Sequence, residues 1–258
     1  MEVTLRATRF RPFLNVFAYF ILDPLDIKEM RIKVKNTGKN NLIVLLSTLV
    51  IFIGCSPCFN TMQTARMLKP KTFEITPSYN WYGDFKDEYN WSQYSYGCRI
   101  GVGLTNKISL YGHYGIVEFG QRNNKDYWSK INIIGLGLKF KMTKPEDNKT
   151  LAALYIPVGT YFENISDKID YFQIQPTMIL TRQIKKKLDI LGSTVLAISK
   201  VRDSDINVFI AQNIGIDLHL KNTGFSLRPE IGVGIGEGSN PLYQYGIGLS
   251  YAPSGYSK

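Results

Sequence analysis

The chain has 258 residues and a formal charge of +10, from 31 basic and 21 acidic residues. Such a charge suggests nucleic acid, but eight Lys/Arg against four Asp/Glu place +4 of it in residues 1–54. The rest is scattered over turns and strands, so no basic face forms and no nucleic-acid partner is expected. The 16 Tyr, 14 Phe, 3 Trp and 22 Gly fit β-structure and membrane interfaces.

In chain order, residues 1–29 hold one apolar patch, Phe13 to Leu22, too short to span a bilayer. Met30 stands directly before the basic residues Arg31, Lys33, Lys35 and Lys39. Translation is therefore expected to begin at Met30, with 1–29 an upstream extension. Leu42 to Ile53 is apolar except for Ser47 and Thr48, and a basic stretch before a short apolar run is the pattern of an export signal. Residues 30–54 are read as that signal peptide. The junction Phe52-Ile53-Gly54-Cys55 resembles the bacterial lipobox, although Phe52 stands where Leu is usual. That resemblance implies cleavage before Cys55 and acylation of its thiol, palmitate being among the expected chains. The spacing Cys55-x-x-Cys58 also suggests a redox motif, but the βαβ setting such a site needs does not follow. A disulfide between Cys58 and Cys98 stays open.

Residues 55–71 read as a periplasmic tether, and from Thr72 the period becomes two. One face of "TFEITPSYNWY" carries Phe73, Ile75, Pro77, Tyr79 and Trp81. "FSLRPEIGVGI" has Phe225, Leu227, Pro229, Ile231, Val233 and Ile235 on one face, and "YQYGIGLSY" has Tyr243, Tyr245, Ile247, Leu249 and Tyr251. Seven further strands are expected near 94–104, 108–118, 131–142, 151–161, 169–181, 188–199 and 206–219. The outward face of 188–199 is Ile190, Leu196 and Ile198, which leaves Leu191 and Val195 on the polar side. Two-faced strands without helical periodicity predict an all-β chain. About ten strands of some eleven residues predict an antiparallel up-and-down transmembrane β-barrel over 72–252, with a tail at 253–258.

The connections agree with that reading. Gly83–Gln93 and Gly120–Lys130 are long, Thr105–Lys107 is tight, and "TKPEDNK", "QIKKK" and "KNTG" fall at the same end as the tight turn. Short turns mark the periplasmic side of such barrels, so both mature termini are expected in the periplasm. The chain thus resembles a small bacterial outer-membrane β-barrel protein with a lipoprotein-type signal. That resemblance implies lipid anchoring in the outer membrane, and membrane lipid, the barrel-assembly machinery and the lipoprotein-processing machinery as partners.

The polar face gathers Glu74, Arg99, His113, Lys139, Lys141, Asp217, His219, Arg228 and Glu230. Buried charges persist by pairing, so these are expected to form a mutually paired lumen filling, with Arg228 and Glu230 as neighbours on one strand. The glycines 232, 234, 236 and 238 recur every second residue, which is strand spacing and not the G-x-G-x-x-G of a dinucleotide site. No catalytic set, cofactor or metal is expected: no G-x-S-x-G appears, and the two histidines are far apart with no acidic cluster beside them. The expected function is structural, surface-interacting or that of a small channel. Two alternatives compete. One is a barrel-wall lipid hydrolase using His113 or His219 with Ser109 or Glu230. The other is a tethered soluble barrel with an apolar ligand inside, which needs the opposite polarity of faces.

Overall fold

The computed structural model describes residues 62–83, 91–121, 128–143, 150–162, 171–201, 205–220, 223–236 and 241–253. All belong to the second of the two units into which the chain divides, Ile51–Lys258. The extension, the signal and Cys55 lie outside the described residues.

The fold is all-β. Among the described residues eleven strands follow one another: β1 (Phe73–Gly83), β2 (Trp91–Gly103), β3 (Ile108–Gln121), β4 (Ser129–Lys141), β5 (Thr150–Phe162), β6 (Tyr171–Ile174), β7 (Thr177–Lys185), β8 (Leu188–Val201), β9 (Ile206–His219), β10 (Phe225–Gly236) and β11 (Leu242–Tyr251). Every pairing is antiparallel, and β1 pairs with β11, so the sheet closes on itself. β6 and β7 are two halves of one stave, since both lie between β5 and β8. The barrel therefore has ten staves.

Pro176 causes the break between β6 and β7, because it has no N–H for the ladder. Its neighbours keep the wall closed: Gln175 N donates to Pro157 O and Leu196 N to Pro176 O, both at 2.9 Å. β7 runs on to Lys185 with a register shift between Gln183 and Lys185. "QIKKK" is thus mostly strand, and the turn there is only Lys186–Lys187.

The period-two pattern fixes which side each residue faces. Ile100, Tyr114, Ile134, Leu136, Phe172, Ile231, Tyr245 and Ile247 are exposed, while their strand neighbours Arg99, His113, Gln173 and Glu230 are buried. Apolar outside and polar inside is the polarity of a membrane barrel and the reverse of a soluble binder. Leu191 and Val195 do face inward, at 2% and 0% exposure. Outward aromatics form two bands. Trp81 stacks on Tyr245 at 4.8 Å, and Tyr94 stacks on Trp128 at 5.4 Å. Nearer the start of β1, Tyr251 contacts Phe73 and Phe225. Phe73 and Trp81 are separated by about 26 Å of strand at about 3.3 Å per residue. At a tilt of about 40° that gives roughly 20 Å of apolar wall between the bands, near the height of an outer-membrane belt.

Candidate functional site

The described part of the stretch read as a tether, residues 62–71, does not stay outside the barrel. Met62, Gln63, Thr64, Ala65, Met67 and Leu68 are all buried at 0–3% exposure, inside the lumen. The segment runs downward and reverses at Lys69-Pro70-Lys71-Thr72, where Thr72 N donates to Lys69 O at 3.1 Å. Proline presets the second turn position and Lys71 takes φ 62°, the left-handed geometry that turns of this kind require at their third position. β1 then climbs the wall.

The wall grips the segment mainly through its backbone. Arg99 Nη2 donates to Met62 O at 2.9 Å. Lys139 Nζ donates to Thr64 O at 3.2 Å and Arg66 O at 2.9 Å. Ala65 N donates to Thr181 Oγ1 at 2.6 Å. The Arg66 side chain forks onto Asp189, Nε to Oδ2 at 2.8 Å and Nη2 to Oδ1 at 3.1 Å. Two glycines make room: a Cβ at Gly103 would lie 2.1 Å from Lys69 O, and one at Gly246 2.2 Å from Met62 Cε. Below, Leu68 and Ala65 pack with Tyr111, Tyr155, Ile179 and Ala252.

Around this segment the structure gathers most of the ionisable residues expected on the polar face. Glu74 is the hub. Its Oε1 accepts from Arg228 Nη1 at 2.6 Å and from Ser250 Oγ at 2.5 Å, and its Oε2 accepts from Tyr111 OH at 3.3 Å. Arg228 Nε also lies 3.3 Å from Asp217 Oδ2. Arg228 therefore pairs with Glu74 on β1 and Asp217 on β9. It reaches past β11, where its cross-strand neighbour is Gly248 and no side chain bars the way. Glu230 accepts from Gln244 Nε2 at 3.4 Å. The Tyr111 ring has Lys139 Nζ 4.8 Å and Arg99 Cζ 5.6 Å from its centroid, a favourable placement of cations on an aromatic face. His113 is buried opposite Arg99 in register. Lys141 is half-buried at the end of β4.

His219 Nε2 donates to Asp189 Oδ2 at 3.1 Å and lies 3.7 Å from Asp217 Oδ2. The expectation that no acidic group joins a histidine is overturned, because ligand atoms of Asp189, Asp217 and His219 come within 4.8 Å of one another. Register brings them together: Asp189 faces Asp217 across β8 and β9, and His219 is two residues on. Arg66 and Arg228 already meet the charge of both carboxylates. A divalent ion would have to displace a guanidinium from a buried pair, which is costly.

The same-strand and adjacent-strand hydrolase pairs do not assemble. Ser109 and His113 share a face four residues apart on β3, which is about 13 Å of strand, beyond hydrogen-bond reach. Glu230 pairs with Gly215 and Ser226 with His219, so His219 and Glu230 are separated by a similar length.

Sequence reasoning missed Arg66, Asp189 and the buried segment itself. The inward face is balanced, Arg99, Lys139, Lys141 and Arg228 against Glu74, Asp189, Asp217 and Glu230, so no charge surplus gave the segment away, but Arg99 and Lys139 use further acceptors. The carbonyls of Met62, Thr64 and Arg66 supply them.

No family model and no curated protein matches the sequence. Among solved structures, an outer-membrane channel from Pseudomonas putida F1 is similar at TM-score 0.48 and 8% identity, covering 77% of this chain and 100% of that one. The LpxR protein of Salmonella typhimurium gives 0.41 and 6%, covering 70% and 99%. The translocator domain of the autotransporter NalP from Neisseria meningitidis gives 0.40 and 8%, covering 82% and 94%.

Proposed function

We propose that the protein is a lipid-anchored outer-membrane β-barrel of structural or surface-interaction type, closed by its own N-terminal segment and without a catalytic site. One observation carries this reading. An apolar outer wall surrounds a polar lumen, and the space a solute would use is taken by Met62–Leu68, held from β2, β4, β7 and β8. Membrane lipid is the partner of the outer wall, and the barrel-assembly and lipoprotein-processing machineries are the partners in biogenesis. A small channel is the weaker reading, since its pore requires the segment to leave.

Fractionation combined with bilayer recording tests this. The protein is expected in the outer-membrane fraction as a heat-modifiable barrel, and the purified barrel should give no steady conductance in a planar bilayer. A variant lacking 62–68 should conduct if it folds. Steady conductance of the wild-type barrel would overturn the closed-lumen reading, and recovery from the soluble fraction would overturn the membrane reading.

A further inference from the structure

One polar pair interrupts the apolar outer wall at mid-height. Thr194 and Gln212 face each other in register across β8 and β9. Each is the seventh residue of a fourteen-residue strand, counting from Leu188 and from Ile206. Their strand neighbours Ser193, Val195, Ala211 and Asn213 are buried in the lumen, so alternation turns the pair outward. Ile210 and Ile214 flank Gln212 on that outer face, and Leu196 lies beyond Thr194. On the other side of Thr194 the outward position is Gly192, where a Cβ would meet nothing within 4 Å. We propose that this patch is a self-association site: a second copy of the chain docks against β8 and β9, with Gln212 meeting Gln212 across a two-fold axis along the membrane normal. This rests on the membrane reading above.

Hydrogen-bond capacity leads there. Thr194 Oγ1 donates to Gln212 Oε1 at 3.1 Å. This bond orients the amide and leaves its two N–H groups without a partner among the described residues. On a soluble surface water would satisfy them. In the hydrocarbon core water is absent, and each unmet polar group is costly. Lipid offers no acceptor at that depth, because its polar groups lie at the two interfaces. A protein acceptor at the same depth does. The amide is its own complement, since it carries two donors and an oxygen with a second lone pair still open. Copies inserted in the same direction bring identical residues to identical depth under a two-fold axis along the normal, so the contact is isologous. A pair of Gln212 amides then exchanges two N–H···O bonds. The gap at Gly192 lets the two walls approach, as small residues do where membrane segments pack. Charge does not oppose the approach: the outward positions of β8 from Ile190 to Ile198, and of β9 from Val208 to Ile216, hold no charged side chain.

The test reads oligomeric state. The full chain is extracted from outer membranes into a detergent matched in density to the buffer. Its mass is then followed by sedimentation equilibrium over a range of detergent-to-protein ratios. Gln212→Leu removes the amide, and Gly192→Leu fills the gap. Both leave only apolar atoms at lipid-facing positions, and each variant is first checked for heat modifiability. The wild type is expected to dimerise. Gln212→Leu should weaken the dimer about tenfold, the value of two amide hydrogen bonds of the strength found in membranes, and Gly192→Leu should weaken it by a similar factor. Ile134→Leu, on the outward face of β4, should leave it unchanged. A heat-modifiable wild type that stays monomeric at every ratio overturns self-association while the membrane reading stands. A dimer that either variant leaves at wild-type strength also overturns the site, and so does a complex whose mass requires a different polypeptide. Recovery of the wild type from the soluble fraction without detergent defeats the membrane reading, and this site with it.

Discussion

Arg66 of the lumen segment and Asp189 of β8 form a forked ion pair, with N–O distances of 2.8 and 3.1 Å across 123 residues of sequence. The Asp189 side chain is fully buried, whereas that of Arg66 is 21% exposed. Asp189 therefore depends on this pair and on His219 more than Arg66 does.

Arg66→Ala should leave the Asp189 carboxylate short of its main partner and cost about 2–4 kcal/mol of barrel stability, below the full range for a buried pair because Arg66 is partly solvated. Arg66→Lys should recover only part of this, since an ammonium cannot fork onto both oxygens. Urea unfolding in detergent micelles checks it. Equal stability of wild type and Arg66→Ala would mean that the segment is not held there.

The Glu74–Arg228 pair gives a second expectation. Glu74→Gln should destabilise the barrel, because Glu74 accepts from Arg228, Ser250 and Tyr111. Removing one member of a buried pair costs about 3–5 kcal/mol. Glu74→Gln/Arg228→Gln should regain only part of that, since Asp217 then loses Arg228 as well. Heat modifiability on gels would rank the variants, and a Glu74→Gln barrel as stable as wild type would refute the assignment.

Much of this architecture was legible in the sequence because a two-residue period carries face information directly. Alternation alone put Phe73, Ile231 and Tyr245 on one face and Glu74, Arg228 and His113 on the other, while which face points outward divided the membrane barrel from the soluble binder. Even Leu191 and Val195 were placed inward against their hydrophobicity. Partnership was not legible. Arg228 reaches Glu74 because Gly248 clears a path across a neighbouring strand, and no spacing rule shows which strand lies two staves away. The lumen segment was hidden for another reason. Met62 to Leu68 has no period of its own, and its backbone carbonyls, which hold it, leave no mark in residue type.

The glycines allow a contrast at equal chemistry. A Cβ at Gly103 would lie 2.1 Å from the Lys69 carbonyl, which is backbone and cannot step aside, whereas at Gly192 nothing lies within 4 Å. Gly103→Ala should therefore push the end of the lumen segment off the wall and lower stability by about 1–3 kcal/mol, in the range of overpacking. Gly192→Ala should change it by less than about 0.5 kcal/mol. Limited trypsin digestion after Lys71 should accelerate in Gly103→Ala alone. Unchanged cleavage there would place the segment elsewhere.

Acylation at Cys55 requires its thiol, so Cys55→Ser should abolish incorporation of a labelled fatty acid and leave an uncleaved precursor of higher mass. Metabolic labelling followed by a gel decides it, and equal label in the variant would remove Cys55 as the site.

The outward wall gives the last expectation. Ile231 is 62% exposed at the middle of β10, facing away from the lumen between Tyr245 and Ile214. An arginine there would place a charge near the bilayer midplane, at a cost of about 2–4 kcal/mol, while Ile231→Leu should be close to neutral. Gly232, its inward neighbour, is not a mild control. A Cβ there would stand 1.8 Å from Asn213 Oδ1 and 2.9 Å from the Gln212 carbonyl, so Gly232→Ser should also destabilise, through crowding. The two costs separate by solvent. The penalty for Ile231→Arg arises from lipid and should shrink when refolding is measured in short-chain detergent micelles instead of vesicles, where the arginine can reach water. The penalty for Gly232→Ser arises inside the barrel and should be the same in both. An Ile231→Arg barrel that refolds into vesicles as well as wild type would show that this face does not meet the bilayer core.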